Sequence, residues 1–295
     1  MLLTTEDLLS LSHLAIDAAQ KAGSLISEYS TKDVTVNNKE AADSLASQVV
    51  TEVDVKAQNA ILKILSPSIA KYDLALLTEE STDDKNRFQK DYFWCIDPMD
   101  GTLAFTEKTP GFAVSIALVS KSGEPVIGVV FDPTTQQLYH AIKNQGAFKN
   151  HRKWQPDLEL NGKETFTLHI DRTFLKYEHF DEFISAFKKN LQELKINELQ
   201  LQKQAGAVLN AIWSLDQAPG CYFKLPKPTP GGGSIWDFAA TACIFNEIGA
   251  PASSFDGTAL DLNRSDSSFM NHRGVLYAGN AEIADTIRSV LKKKL

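Results

Sequence analysis

Near the start of the chain, Leu8, Leu11, Leu14, Ile16 and Ala19 recur at a spacing that puts them on one face, and this predicts an amphipathic helix over 6–29. A second helical pattern spans 52–65 and is expected to end at Ser66-Pro67, because proline removes a backbone donor and crowds the preceding turn. The pattern then turns strand-like. Leu74 to Thr78 is a continuous apolar run leading into Glu79-Glu80-Ser81, and Phe93 to Ile96 is another that should stop at Asp97-Pro98. FAVSIALVSK (112–121) and VIGVVF (126–131), joined by Ser122-Gly123-Glu124-Pro125, read as a β-hairpin, and QLYHAI (137–142) adds a third strand after the Asp132-Pro133 turn.

Beyond Gly146-Ala147-Phe148 a polar stretch intervenes, and helix and strand then alternate. Strands are expected at 165–170, 221–225 and 275–278. Helices are expected at 180–190, 205–216, 235–248 and 281–291, with Gly249 as a left-handed C-cap. PKPTPGGG (226–233) reads as a loop. A boundary near 150–165 divides the chain into an N-terminal α+β lobe, 1–160, carrying most candidate ligands, and a C-terminal α/β lobe, 161–295, carrying Asp237. Together they should make one catalytic unit.

Composition narrows the function. A chain of 295 residues, 43% hydrophobic, is long enough for one large core or two lobes. A net charge of -7 argues against a nucleic-acid polymer as partner, although a small phosphorylated metabolite met by local positive groups is compatible with it. The basic run Lys292-Lys293-Lys294 fits the last turn of a helix, where it complements the dipole. No apolar run approaches a membrane span, and acids among the first residues speak against a signal peptide. Cys95, Cys221 and Cys243 lie far apart, as buried thiols in a reducing compartment would, so the expected location is cytoplasmic. Six histidines show no zinc-like spacing, so any metal should be held by carboxylates.

The stretch WCIDPMDGT (94–102) concentrates the chemistry. Asp97 and Asp100 stand close enough to repel one another unless a cation, a proton or backbone N–H groups compensate them. Asp54, Glu79 and Asp237 fall at comparable places beside predicted element ends. Converged, these carboxylates would suit a hard divalent cation, and Mg²⁺, which shares oxygen ligands with a substrate phosphate, fits best. Gly101-Thr102 would then offer backbone N–H groups to that phosphate at a helix start. Each element also has an ordinary reading: Asp-Pro-x-Asp-Gly as a capped turn, Glu79-Glu80 as solvated loop, Asp54 as a surface residue, Trp236-Asp237 as a core aromatic beside an N-cap.

Order and spacing join them. Asp54, then 24 residues, Glu79-Glu80, then 16 residues, Asp97-Pro98-Met99-Asp100-Gly101-Thr102, and finally Trp236-Asp237 followed after 11 residues by Gly249-Ala250, resembles the signature of the inositol monophosphatase superfamily of lithium-sensitive, magnesium-dependent phosphatases. Ala250 departs from the family's usual second glycine. The resemblance implies a layered αβαβα sandwich of the α/β (α+β) class, with an antiparallel sheet in the first half and a mixed sheet in the second. It further implies that Glu79, Asp97, Asp100, Asp237 and the Met99 carbonyl bind about two or three Mg²⁺ ions. Asp54, Glu79 and Thr102 would be catalytic, orienting and deprotonating the attacking water, and Asp100, Gly101, Thr102 and Asp237 would contact the substrate. A homodimer is an allowed assembly that the sequence does not read out.

The ester itself is less clearly written. Family members that cleave inositol monophosphate typically carry an acidic residue seven positions before the late-helix aspartate, where this chain has Pro230. GGGSIWDFAAT (231–241) and LDLNRSDSSFMNHRGVLYAG (260–279) are more similar to bacterial 3'(2'),5'-bisphosphate nucleotidases, which act on 3'-phosphoadenosine 5'-phosphate. Leu103 stands where those enzymes commonly have lysine. The leading expectation is the bisphosphate nucleotidase, with an inositol-1-monophosphatase or a broad sugar phosphatase as alternatives and a non-catalytic metal- or phosphate-binding regulator behind them. Lys224, Lys227, Arg264 and His272 are candidates for a distal phosphate and equally ordinary as surface residues.

Overall fold

A computed structural model describes residues 2–32, 36–38 and 49–292; Lys293 and Lys294 of the basic run lie outside the described residues. The first helix, α1 (Thr5–Tyr29), opens on a reciprocal cap: the Asp7 N–H donates to the Thr4 hydroxyl, and the Thr4 N–H donates to the Asp7 carboxylate. It buries Leu11, Ala15, Ala18, Ala19, Ala22 and Ile26, the face that the leucine spacing predicts. Gly23 is where it meets the sheet, since a Cβ there would lie 2.2 Å from the Phe131 ring.

Helix α2 (Glu52–Tyr72) does not end before Pro67 as expected but runs through it. Serine hydroxyls on either side donate back to carbonyls, Ser66 to Leu62 and Ser68 to Leu65, and buried Ser68 also accepts from the Trp94 indole at 3.0 Å. Packing against α1 and the sheet thus holds a helix that local propensity would break. A short antiparallel pair, β1 (Val36–Asn38) with β2 (Val49–Thr51), precedes it.

The larger sheet is ordered β3-β4-β5-β6-β7-β8-β9. Its strands are β3 (Ala75–Thr78), β4 (Tyr92–Asp100), β5 (Ala113–Ser120), β6 (Pro125–Asp132), β7 (Gln137–Ile142), β8 (Gly146–Lys149) and β9 (Arg152–Lys153). The expected antiparallel sheet needs one correction: β3 pairs with β4 in parallel, because the segment between them, residues 79–91 with a single 3-10 turn at Asn86–Phe88, carries the chain back so that both strands run the same way. The expected stop at Asp97-Pro98 is also corrected. β4 continues to Asp100, and its register against β5 shifts between Asp97 and Asp100, so the proline sits in an irregularity where no ladder donor is required. A five-residue helix, α3 (Thr102–Thr106), follows at once.

The smaller sheet is ordered β11-β10-β12-β14-β13 and is mixed. It comprises β10 (Thr165–His169), β11 (Glu198–Gln202), β12 (Gly220–Lys224), β13 (Ala252–Ser253) and β14 (Val275–Ala278). β11 was not foreseen: ELQLQ is largely exposed and carries no apolar run, so only pairing with β10 defines it. Helices α4 (Phe180–Glu193) and α7 (Ala281–Lys292) cover its outer face, while α5 (Ala207–Asp216) and α6 (Ile235–Ile248) lie between the two sheets. The layers are therefore α1/α2, large sheet, α5/α6, small sheet, α4/α7. α6 comes from the second half of the chain yet packs on β5 and β6 of the first. Gly128 permits this, as a Cβ there would stand 2.3 Å from the Ala240 carbonyl oxygen.

Candidate active site

Two elements deliver three carboxylates to one point. The irregular end of β4 supplies Asp97 and Asp100, and the first turn of α6 supplies Asp237; one oxygen from each lies within 4.8 Å of the others. Local structure fixes each one. The Met99 N–H donates to Asp97 Oδ1 at 3.0 Å. The Ser234 N–H donates to Asp237 Oδ2 at 2.8 Å as half of a capping box. Asp100 is cradled by the start of α5, receiving the Ala207 N–H at 3.2 Å and the Val208 N–H at 2.8 Å. Gly206 makes that cradle possible, because a Cβ there would fall 2.3 Å from Asp100 Oδ2.

Asp54, on α2, and Thr102, at the start of α3, meet beside this cluster. Thr102 Oγ1 lies 3.2 Å from Asp54 Oδ1 and 3.2 Å from the Met99 carbonyl, so the hydroxyl donates to one of two oxygens and keeps lone pairs for another donor. Both side chains are buried. Glu79 follows β3 directly and anchors through its backbone N–H, which donates to the Ile96 carbonyl at 3.1 Å. Its side chain is half-buried and acts on Asp97 through its charge, but it is not one of the three oxygens that converge. Gly101 has φ +86°, and a Cβ there would also approach the Gly111 carbonyl to 2.4 Å, so only glycine turns the chain from β4 into α3.

The electrostatics state what the cluster requires. Burial, then the charges of Glu79, Asp100 and Asp237, raise the Asp97 pKa well above the usual carboxylate range. Burial and the Asp237 charge raise Asp100 to about 8, even though two helix N–H groups and Lys224 oppose the rise. Asp237 is raised by burial, offset chiefly by Lys224 and the Ser234 N–H. Asp97 and Asp237 also act directly on one another, and a proton on one of them would relieve their repulsion. At neutral pH such a group of hard oxygens holds either protons or a cation in their place. The residues present therefore fit a divalent metal by their chemistry and convergence.

The sequence carried no signal for two features. Gln58 sits one turn after Asp54 on α2 and donates to Ser81 Oγ at 3.0 Å, tying the Glu79 loop to the helix that carries Asp54. Asp171, just past β10, pairs with Lys224 at 3.0 Å. Of the distal candidates, Arg264 is committed to its own loop, bonded to Asp266, the Phe269 carbonyl, Asn271 and His272. Pro230 is exposed on the 226–233 loop. The residue that stands at the site from this region is Lys224, at the strand end.

No described helix is long and apolar enough to cross a membrane. A curated relative from Escherichia coli K12, "Nus factor SuhB", is 30% identical over 246 residues, covering 83% of this chain and 85% of that protein. The "Inositol-1-monophosphatase" of Bacillus subtilis 168 is 26% identical over 273 residues, 91% of each chain. A solved structure described as an IMPase/NADP phosphatase complexed with Mg²⁺ and phosphate superposes with a TM-score of 0.72 at 18% identity, covering 96% of this chain and 95% of that one, a likeness of fold. The model of the inositol monophosphatase family matches residues 7–294, and the chain belongs to the inositol monophosphatase family.

Proposed function

We propose that the protein is a Mg²⁺-dependent phosphomonoesterase acting on a small phosphate ester. One observation carries the reading: the oxygens of Asp97, Asp100 and Asp237 converge within 4.8 Å directly beside the Thr102–Asp54 hydrogen bond. Those carboxylates, with Glu79 and the Met99 carbonyl, would hold about two or three magnesium ions in the manner of multi-metal phosphatases. Bound there, magnesium supplies neutralisation of phosphoryl charge and increased acidity of water. Thr102 accepts a hydrogen bond from the attacking water, because its own hydroxyl hydrogen points to Asp54 or to Met99. Asp54, with Glu79, draws the proton away. The Gly101 and Thr102 N–H groups hold the phosphate.

The proposed leading substrate is 3'-phosphoadenosine 5'-phosphate, with inositol 1-phosphate or a sugar phosphate as alternatives. The 231–241 and 260–279 segments and the cation at Lys224 support the first; the Bacillus relative's name supports the second. Phosphate release should require Mg²⁺, stop on chelation and be inhibited by lithium. Full activity in excess chelator would remove the metal from the mechanism. A second reading, a metal- or phosphate-binding regulator, is favoured by the name of the Escherichia relative; absence of release across the whole panel would support it.

A further inference from the structure

The second lobe lines the carboxylate site with an ion pair. β10 and β12 run parallel, with His169 registered against Tyr222, so their C-terminal ends lie on the same side of the small sheet. Asp171 stands two residues past β10, and Lys224 is the last residue of β12. Lys224 Nζ lies 3.0 Å from Asp171 Oδ2, and the Tyr222 hydroxyl donates to Asp171 Oδ1 at 3.0 Å, so both carboxylate oxygens are engaged. The ammonium lies 5.9 Å from the centroid of Phe238, the neighbour of Asp237, and it feels the charges of Asp171, Asp237 and Asp100. Its side chain is 17% exposed and so largely enclosed.

We propose that Lys224, oriented by Asp171 and Tyr222, is a specificity-determining residue that receives a second phosphoryl group carried by the substrate next to the ester that is cleaved. This rests on the phosphomonoesterase reading and adds to it the residue by which the site would select a bisphosphate. A lysine ammonium has three donors, and Asp171 takes one. Enclosing an ammonium is costly, and a strand-end lysine with no role at the site would extend its charge into water. Here it is turned inward. A polyol would bring no charge to complement the ammonium, whereas a dianionic phosphate forms charge-assisted hydrogen bonds with it. Arg264, another of the basic candidates, is committed to its own loop, whereas Lys224 acts on Asp100 and Asp237 through its charge.

The test compares two substrates with the same reacting ester, adenosine 3',5'-bisphosphate and adenosine 3'-monophosphate, in the full-length protein with Mg²⁺. The kcat/KM ratio should favour the bisphosphate by roughly ten- to a hundredfold, fall toward unity in Lys224→Met and return in Lys224→Arg. A ratio unmoved by Lys224→Met, or equal loss of both substrates, overturns the proposal, the latter because Lys224 would then merely neutralise the carboxylates. A measurement without variants guards against misfolding. Adenosine 5'-monophosphate should inhibit the wild type at least about tenfold more strongly than adenosine, as a charge-assisted contact would give, and equal inhibition overturns the proposal. No phosphate release from either ester or from p-nitrophenyl phosphate would overturn the phosphomonoesterase reading itself, and this inference with it.

Discussion

The two sheets are built differently and bring different things to the site. In the large sheet β5 and β6 are buried along nearly their whole length, with α1 and α2 on one face and α5 and α6 on the other. From it come Asp97, Asp100 and, through α3, Thr102, all within a few residues of one strand end. The small sheet has an exposed edge in β11 and sends its residues from separate segments: Asp171 after β10, Lys224 at the end of β12, and Asp237 beyond a long loop. The first arrangement holds reacting groups in a tight frame. The second places groups on segments whose lengths can change without disturbing that frame, which is where substrate selection is most easily altered.

The sharpest way to break this contrast is to remove one carboxylate from each half. Asp97→Asn and Asp237→Asn should each lower turnover by roughly a thousandfold or more, since several kcal/mol of charge stabilisation depend on the shared site. Without metal, both variants should melt at or above the wild-type temperature, because buried repulsion is relieved. Unfolding of both would mark the aspartates as structural. Next in size, Thr102→Ala should cost kcat roughly 10²- to 10⁴-fold, with a smaller effect on KM because the backbone donors survive. An unchanged kcat would take Thr102 out of the reaction. Gly206→Ala probes the seam between the halves: displacing Asp100 should lower activity by up to about a hundredfold and weaken Mg²⁺ binding measured calorimetrically. Normal metal affinity would show that the Asp100 cradle tolerates the methyl group.

The smallest effect compares the sheets by their buried histidines. Burial pushes His140, on β7, down to about 4 and His169, on β10, down to about 3. Both stay neutral in the folded protein while the unfolded chain takes up protons near pH 6.5. The unfolded state therefore binds more protons between those values, and stability is full above pH 6.5 and declines as pH falls toward 4 and then 3. For His169, fully enclosed, the loss between pH 7 and pH 5 amounts to about 2 kcal/mol. His169→Leu should shrink the difference in Tm between those two pH values relative to wild type; an unchanged difference would assign the acid sensitivity elsewhere.

What could be read from the sequence follows from locality. The meander from 113 to 142 and the helix from Ile235 to Gly249 match their expected limits closely, because alternation, turn residues and a left-handed glycine cap act over a few neighbours. The aspartates of WCIDPMDGT were visible as groups in need of a partner, since charge repulsion at short spacing is also local. Tertiary packing decided the rest. It carried α2 through Pro67, drew β4 past Pro98, made a strand of ELQLQ and turned β3 parallel to β4. It also brought the N–H groups of Ala207 and Val208 to Asp100 across 107 and 108 residues, and Asp171 to Lys224. Such partners are set by how layers stack and where strands end, and composition and periodicity record which face is buried but not which distant backbone will meet it.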